Sequence, residues 1–158
     1  MGFDAAVEFA PDWSCQGKQL MRGHLYKVLS KLLRVKKAAF DNQLFSYNEL
    51  VDRMLDKPGV DYERFRCVTP MWDNSARRKM DATIFVGSTP EKYEYWLKQV
   101  CISTASSGRQ QLVFINAWNE WAEGNHLEPC RKWGRQYLEA TLRALEAVPT
   151  IDVPTVPT

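Results

Sequence analysis

The run LVFI, Leu112 to Ile115, is purely apolar, and it ends at once in NAWNEWAEGNHLEP, Asn116 to Pro129. That second stretch holds three glutamates, two tryptophans and a histidine. An apolar run of this kind predicts a strand over 112–118 with both faces covered, as in a parallel sheet. Parallel strands require helical crossovers, so the rest of the chain must supply alternating strands and helices.

It does. GFDAAVEFAP predicts a buried strand over Ala5 to Phe9, and RFRCVTPMWDN a second over Arg64 to Asn74. Between them SYNE, Ser46 to Glu49, has the form of a capping box. Leu50, Met54 and Leu55 then predict a helix over about 47–56. STPE, Ser88 to Glu91, opens another helix, with Pro90 where its missing N–H costs nothing; Tyr93, Trp96, Leu97 and Val100 continue it. A last helix is expected from about Lys132 to Ala147, with Tyr137, Leu138, Thr141, Leu142 and Leu145 on one side. Asp12 to Gly23 reads as loop, and Leu25 to Leu33 as a helix or part of an insertion. There is no internal repeat. The fold class expected is α/β: one domain over 1–148, then a Pro- and Thr-rich disordered tail over 149–158. Because the chain starts inside a strand, an earlier part is expected to precede it.

Composition narrows the function. The balance of 45% apolar and 25% charged residues suits one globular core, and a net charge of +2 gives no general pull toward nucleic acid or anionic membrane. The basic runs KLLRVKK (Lys31 to Lys37) and ARRK (Ala76 to Lys79) read as solvated faces. Cys15, Cys67, Cys101 and Cys130 are far apart in sequence and form no CxxC pair, so reduced thiols, no metal, no cofactor and a cytoplasmic location are expected. No stretch has the length of a membrane span, and no export signal is evident.

The polar clusters all follow strands: Glu8 to Trp13, Pro70 to Arg78, Asn116 to Glu128. Ligands bind at the carboxyl ends of parallel strands, so the three clusters are expected to meet. Glu120 and Glu123, three apart, would share a face if Asn119 to Gly124 forms a helical turn. Two adjacent carboxylates can divide into a general acid and a general base, as glycoside chemistry requires. Trp118 and Trp121 could cover the CH face of a pyranose, while Asn116, Asn119, His126 and Glu128 could bind its hydroxyls. Trp72 would be a second platform with Asp73 and Asn74 beside it as further substrate-binding candidates, and Arg77 and Arg78 could hold a phosphate or carboxylate of a sugar nucleotide or acidic sugar. Equally, Asp73 or Asn74 could cap a helix while the arginines pair with surface acids. Glu8 is a further inward carboxylate candidate. Taken singly, each feature is more often surface charge or core; their shared position favours a site.

GFDAAVEF, MWDNSARR, STPEKYEYWL and LVFINAWNEWAEGNHLEP, in that order, resemble the C-terminal part of the WbsX family over Gly2 to Ala144. These are bacterial proteins described as glycosyltransferases and associated with surface polysaccharide, including lipopolysaccharide, synthesis. Their core is similar to endo-α-mannosidase-like glycoside hydrolases. The resemblance implies the C-terminal portion of a (β/α)8 barrel of the TIM type, incomplete here, acting on a glycan or sugar-nucleotide substrate. It also implies a Glu-Trp-x-Glu acid/base pair: Glu120 as the base that draws a proton from a sugar 2-hydroxyl, Glu123 as the acid on the leaving oxygen. The chain departs from the family at Ala10, where a second Pro is common, at Cys130, where Asp is usual, and in lacking the N-terminal half. Two rival readings follow: an inactive glycan-binding remnant, or one half of a split barrel whose partner chain or segment supplies the first strands.

Overall fold

The computed structural model describes residues 2–20, 42–78, 80–107 and 111–148. The expected helix at Leu25 to Leu33, the 31–37 basic run and the tail over 149–158 lie outside them.

The molecule is a mixed α/β structure. Strands β1 (Ala5–Val7), β3 (Glu63–Val68) and β6 (Val113–Ile115) form a parallel sheet in the order β1-β3-β6. A second sheet, ordered β2-β5-β4, pairs β2 (Gln43–Ser46) parallel to β5 (Thr83–Val86), and β5 antiparallel to β4 (Trp72–Asp73). Three helices complete the frame: α1 (Tyr47–Leu55), α2 (Pro90–Ala105) and α3 (Gln136–Glu146). Helix α2 is central, packing on α1, α3, β3 and β6.

The helix starts follow from local chemistry. Ser46 Oγ accepts from the Glu49 amide at 3.4 Å, but Glu49 does not reach back; it accepts from the Arg53 guanidinium and the Lys18 amide. Half of the expected capping box is present, and the other half is outcompeted by charge. Thr89 Oγ1 caps α2 by accepting from the Lys92 amide, with Pro90 in the first turn.

Several expectations need correction. The strand over Arg64 to Asn74 is two strands broken at Thr69-Pro70, and β2 and β5 were not expected. The last helix starts at Gln136, because residues 130–134 close a turn in which the Gly134 amide donates to the Cys130 carbonyl at 2.7 Å. Its buried face is Tyr137, Ala140 and Ala144, while Leu142 and Leu145 are exposed. The physical reason is close approach: α2 presents the bulky Tyr93 to α3, whose remaining buried positions are the small Ala140 and Ala144. Tyr93 packs on the Tyr137 ring at 5.6 Å and its hydroxyl lies 3.1 Å from that of Thr141.

Strands β1 and β6 are not buried on both faces. Their register places Val7, Phe65 and Phe114 on one side, and Arg66, Val68, Val113 and Ile115 on the other. The second side meets the core. On the first side Val7 and Phe114 are exposed. An apolar run therefore marked a strand correctly and its burial incorrectly, since Val7 and Phe114 stay exposed on that face and only Cys67 is buried there.

Candidate functional site at the strand ends

The three parallel strands deliver their clusters to one end, and the clusters have different fates there. After β6, the Asn116 amide donates to the Val68 carbonyl and its Nδ2 donates to the Ala10 carbonyl at 2.7 Å, tying the ends of β1, β3 and β6 together. The peptide bonds Asn116–Ala117 and Ala10–Pro11 are both cis.

The chain then forms a small hairpin. Strand β7 (Asn119–Glu120) pairs antiparallel with β8 (Asn125–His126), and Trp121–Glu123 between them is one 3₁₀ turn. The expected helical turn from Asn119 is thus corrected: Glu120 leaves a strand, and only Glu123 sits in helical backbone, so i,i+3 helix geometry does not relate the two. Antiparallel pairing wins because Gly124 reverses the chain at φ +54°. A Cβ at Gly124 would come within 2.7 Å of the Asp73 carbonyl oxygen, so the tight turn also lets the hairpin close on β4.

Trp118 and Trp121 remain about half exposed, at 53% and 48%. Trp121 stacks on His126 with ring centroids 3.9 Å apart, and its Nε1 donates to Glu128 Oε2 at 2.7 Å. Glu128 and His126 therefore fix the Trp121 indole plane. Glu120 and Asn119 are exposed; Glu123 accepts an ion-paired hydrogen bond from Arg77. Burial holds the His126 imidazole below its ordinary value against a weaker opposing pull from Glu128, so the ring is neutral at pH 7.

Other expected residues are spent on the fold. Trp72 is only 2% exposed, edge-on to Phe9 and Trp13, so it offers no platform for a sugar; the correction follows from its position in the core between strand ends. Asp73 caps the 3₁₀ turn Asn74–Ala76 by accepting from the Ser75 amide, and buried Asn74 accepts from the Thr83 amide. Arg78 donates to the Asp81 carbonyl. Glu8 is buried with both oxygens engaged, accepting from Lys57 Nζ at 2.8 Å and Arg66 Nε at 2.9 Å; Lys57 also pairs with Asp12. It is an anchor of the sheet, not a free carboxylate.

Two contributors were not singled out in the sequence. Tyr47 donates from its hydroxyl to the Thr69 carbonyl at 2.6 Å, and the Thr69 hydroxyl donates to Asn125 Oδ1 at 2.8 Å. This buried line fastens the hairpin to the end of β3. The signal was present as an Asn beside the turn glycine and a Thr-Pro stop. Trp133 is the second, standing edge-on to Tyr137 at 6.0 Å.

Among the described residues no cluster of metal-ligating side chains gathers, the four cysteines are free, and no helix is long and apolar enough to cross a membrane.

Parallel strands joined through helices, with a polar and aromatic end, define a mixed α/β protein. Comparison with known proteins gives the particular family: the model for glycosyltransferase WbsX matches residues 1–141, and the chain belongs to that family. The chain is also 36% identical, over 154 residues, to the uncharacterized protein WxcX of Xanthomonas campestris pv. campestris, in strain B100 and in strain ATCC 33913. That match covers 96% of this chain and 21% of each relative, so the chain spans about a fifth of their length. No solved structure matches.

Proposed function

We propose that this chain carries part of a carbohydrate-active site that cleaves or transfers at a glycosidic bond, with Glu120 and Glu123 as its acid/base pair. One observation carries the reading: two half-exposed indoles, Trp118 and Trp121, flank Glu120 on a hairpin that leaves the carboxyl end of a parallel strand. Indole faces stack on the CH face of a pyranose, and a solvent-accessible carboxylate beside them can exchange a proton with a sugar oxygen. The family description supports a glycan or sugar-nucleotide substrate. Arg77, half exposed and already paired with Glu123, is the cation best placed to meet an acidic group on such a ligand.

In this reading Glu120 draws the proton from a sugar hydroxyl and Glu123 serves the leaving oxygen. Glu128 is a positioning residue, since it acts through Trp121. The test is sugar release or transfer, from aryl glycosides and from sugar nucleotides, by the chain and its Glu120→Gln and Glu123→Gln variants. Turnover should fall at least about 100-fold in each, the range of a lost general acid or base, with glycan binding retained. Undiminished turnover in both variants overturns the reading.

A second reading has its own observation. The sheet order β1-β3-β6 leaves β1 and β6 each with an unpaired edge among the described residues, and Val7 and Phe114 stand exposed beside them. Free edges and apolar faces call for cover. We infer that further strands complete this sheet toward a (β/α)8 barrel, from the same polypeptide or a partner, and that the hairpin forms one wall of a cleft. Mixing the chain with the preceding portion of a family member and measuring mass in solution tests this; a chain that stays monomeric alone and in the mixture counts against it.

A further inference from the structure

The molecule has a hollow of about 660 Å³ between β4, β5, the β7–β8 hairpin and the turn before α3. Neither Glu120 nor Glu123 lines it. Its volume lies within the ~300–1,000 Å³ of small-molecule sites, and its walls have the same character: apolar surface from Ile84, Val86 and the Trp133 ring, with few polar groups. Trp121, which stands between Glu120 and Glu123 in the sequence, also lines the hollow.

The polar groups indicate what the hollow would take. His126 is 8% exposed and lines it, and neither ring nitrogen has a hydrogen-bond partner among the described residues; the same holds for the indole N–H of Trp72. Buried polar atoms of this kind are normally satisfied, so three at one hollow point to a missing partner. A neutral imidazole offers one donor and one acceptor, and the Trp72 N–H adds a donor. That set matches hydroxyls, which both give and accept, better than a phosphate, which only accepts. The formal charges at the wall also cancel, Lys132 against Asp73. We propose that this hollow is a subsite for a neutral hexopyranose unit, hydrogen-bonded by His126 and packed against Trp133, over whose ring Lys132 Nζ lies at 4.7 Å. Trp121 is the residue along which one glycan would reach the carboxylates from a ring held here. The subsite rests on the glycan reading above, but it makes its own claim about where a sugar binds.

The test is titration of the 158-residue chain with methyl glucoside, methyl mannoside and methyl galactoside, and in a separate arm with inorganic phosphate. The readouts are the indole N–H and imidazole NMR signals. At least one glycoside should shift the His126 and Trp133 signals saturably, while phosphate should not. Trp133→Ala should weaken that binding about ten-fold, as expected for a lost packing partner, and Glu120→Gln should leave it unchanged within two-fold. Because Trp133 also packs on Tyr137, Val86→Tyr is the second variant: at an exposed strand position lining the hollow, it fills the space without opening the core and should abolish the shifts. Glycoside binding that both variants leave intact, or that only Trp118→Ala removes, overturns the subsite while the glycan reading stands. Saturable phosphate binding at His126 without any glycoside shift overturns it in favour of an anion site. Absence of any glycan binding sinks both.

Discussion

Two carboxylate clusters stand beyond the ends of the two outer strands of one parallel sheet, and they are opposites. Beside β1 and β3, Glu8 is shut in with Lys57 and Arg66, and Asp12 joins through Lys57. Beyond β6, Glu120 faces solvent, and Glu123 pairs with an arginine that is itself half exposed. Residue type and position in the fold are alike. What differs is whether the structure has already supplied the counter-charges. A carboxylate with both oxygens filled belongs to the scaffold; one left open beside exposed indoles can work on a ligand.

That contrast is sharpest in stability. Replacing Glu8 with Ala removes the carboxylate shared by Lys57, Arg66 and the Cys67 amide, leaving Lys57 only Asp12 and Arg66 only the Met54 carbonyl in a part-buried setting. Loss of one partner in a buried pair costs about 3–5 kcal/mol, so urea denaturation of Glu8→Ala should show a loss of that order. A change under about 1 kcal/mol would mean that the buried network does not anchor the sheet.

The acid response is the intermediate effect. Burial pushes the Asp12 carboxyl up, but Lys57 and Ser14 outweigh it and bring the group from 3.8 to about 2. A carboxyl depressed in the folded state stabilises above its unfolded value and loses that contribution as pH falls toward the folded one. Asp12 is partly exposed, so after screening the contribution is about 1 kcal/mol. The stability gap between the wild type and Asp12→Asn should therefore be full at pH 5 and close progressively toward pH 2. A gap that widens on acidification would reverse the sign and break the account.

The smallest effect belongs to the open cluster. Glu120→Ala removes no described side-chain contact and should change the unfolding free energy from urea denaturation by less than about 0.5 kcal/mol. Should Glu120→Ala destabilise as much as Glu8→Ala, the division between scaffold and site would fail.

The strand-ending clusters were legible in the sequence because hydrophobic runs stop abruptly where polar residues start. So were the starts of α1 and α2, where a single Ser, Thr or Pro decides backbone geometry. The buried face of α3 was not, since Leu138, Leu142 and Leu145 form a helically spaced stripe of their own beside that of Tyr137, Ala140 and Ala144. The choice came from Tyr93 on the facing helix, which packs on Tyr137. β2 and β5, four residues each, hold too short a pattern to stand out from loop.

The sequence alone determined the α/β class, the family and the concentration of acids and indoles after β6. All three reside in local order along the chain: hydrophobic period, capping residues and a contiguous motif. The tertiary structure alone decided that Glu8 is bound, that Trp72 is walled in, that Glu123 meets Arg77, and that His126 lines a hollow. Each of those depends on residues distant in sequence arriving at one place, and a charge or a ring acquires its role from what arrives beside it.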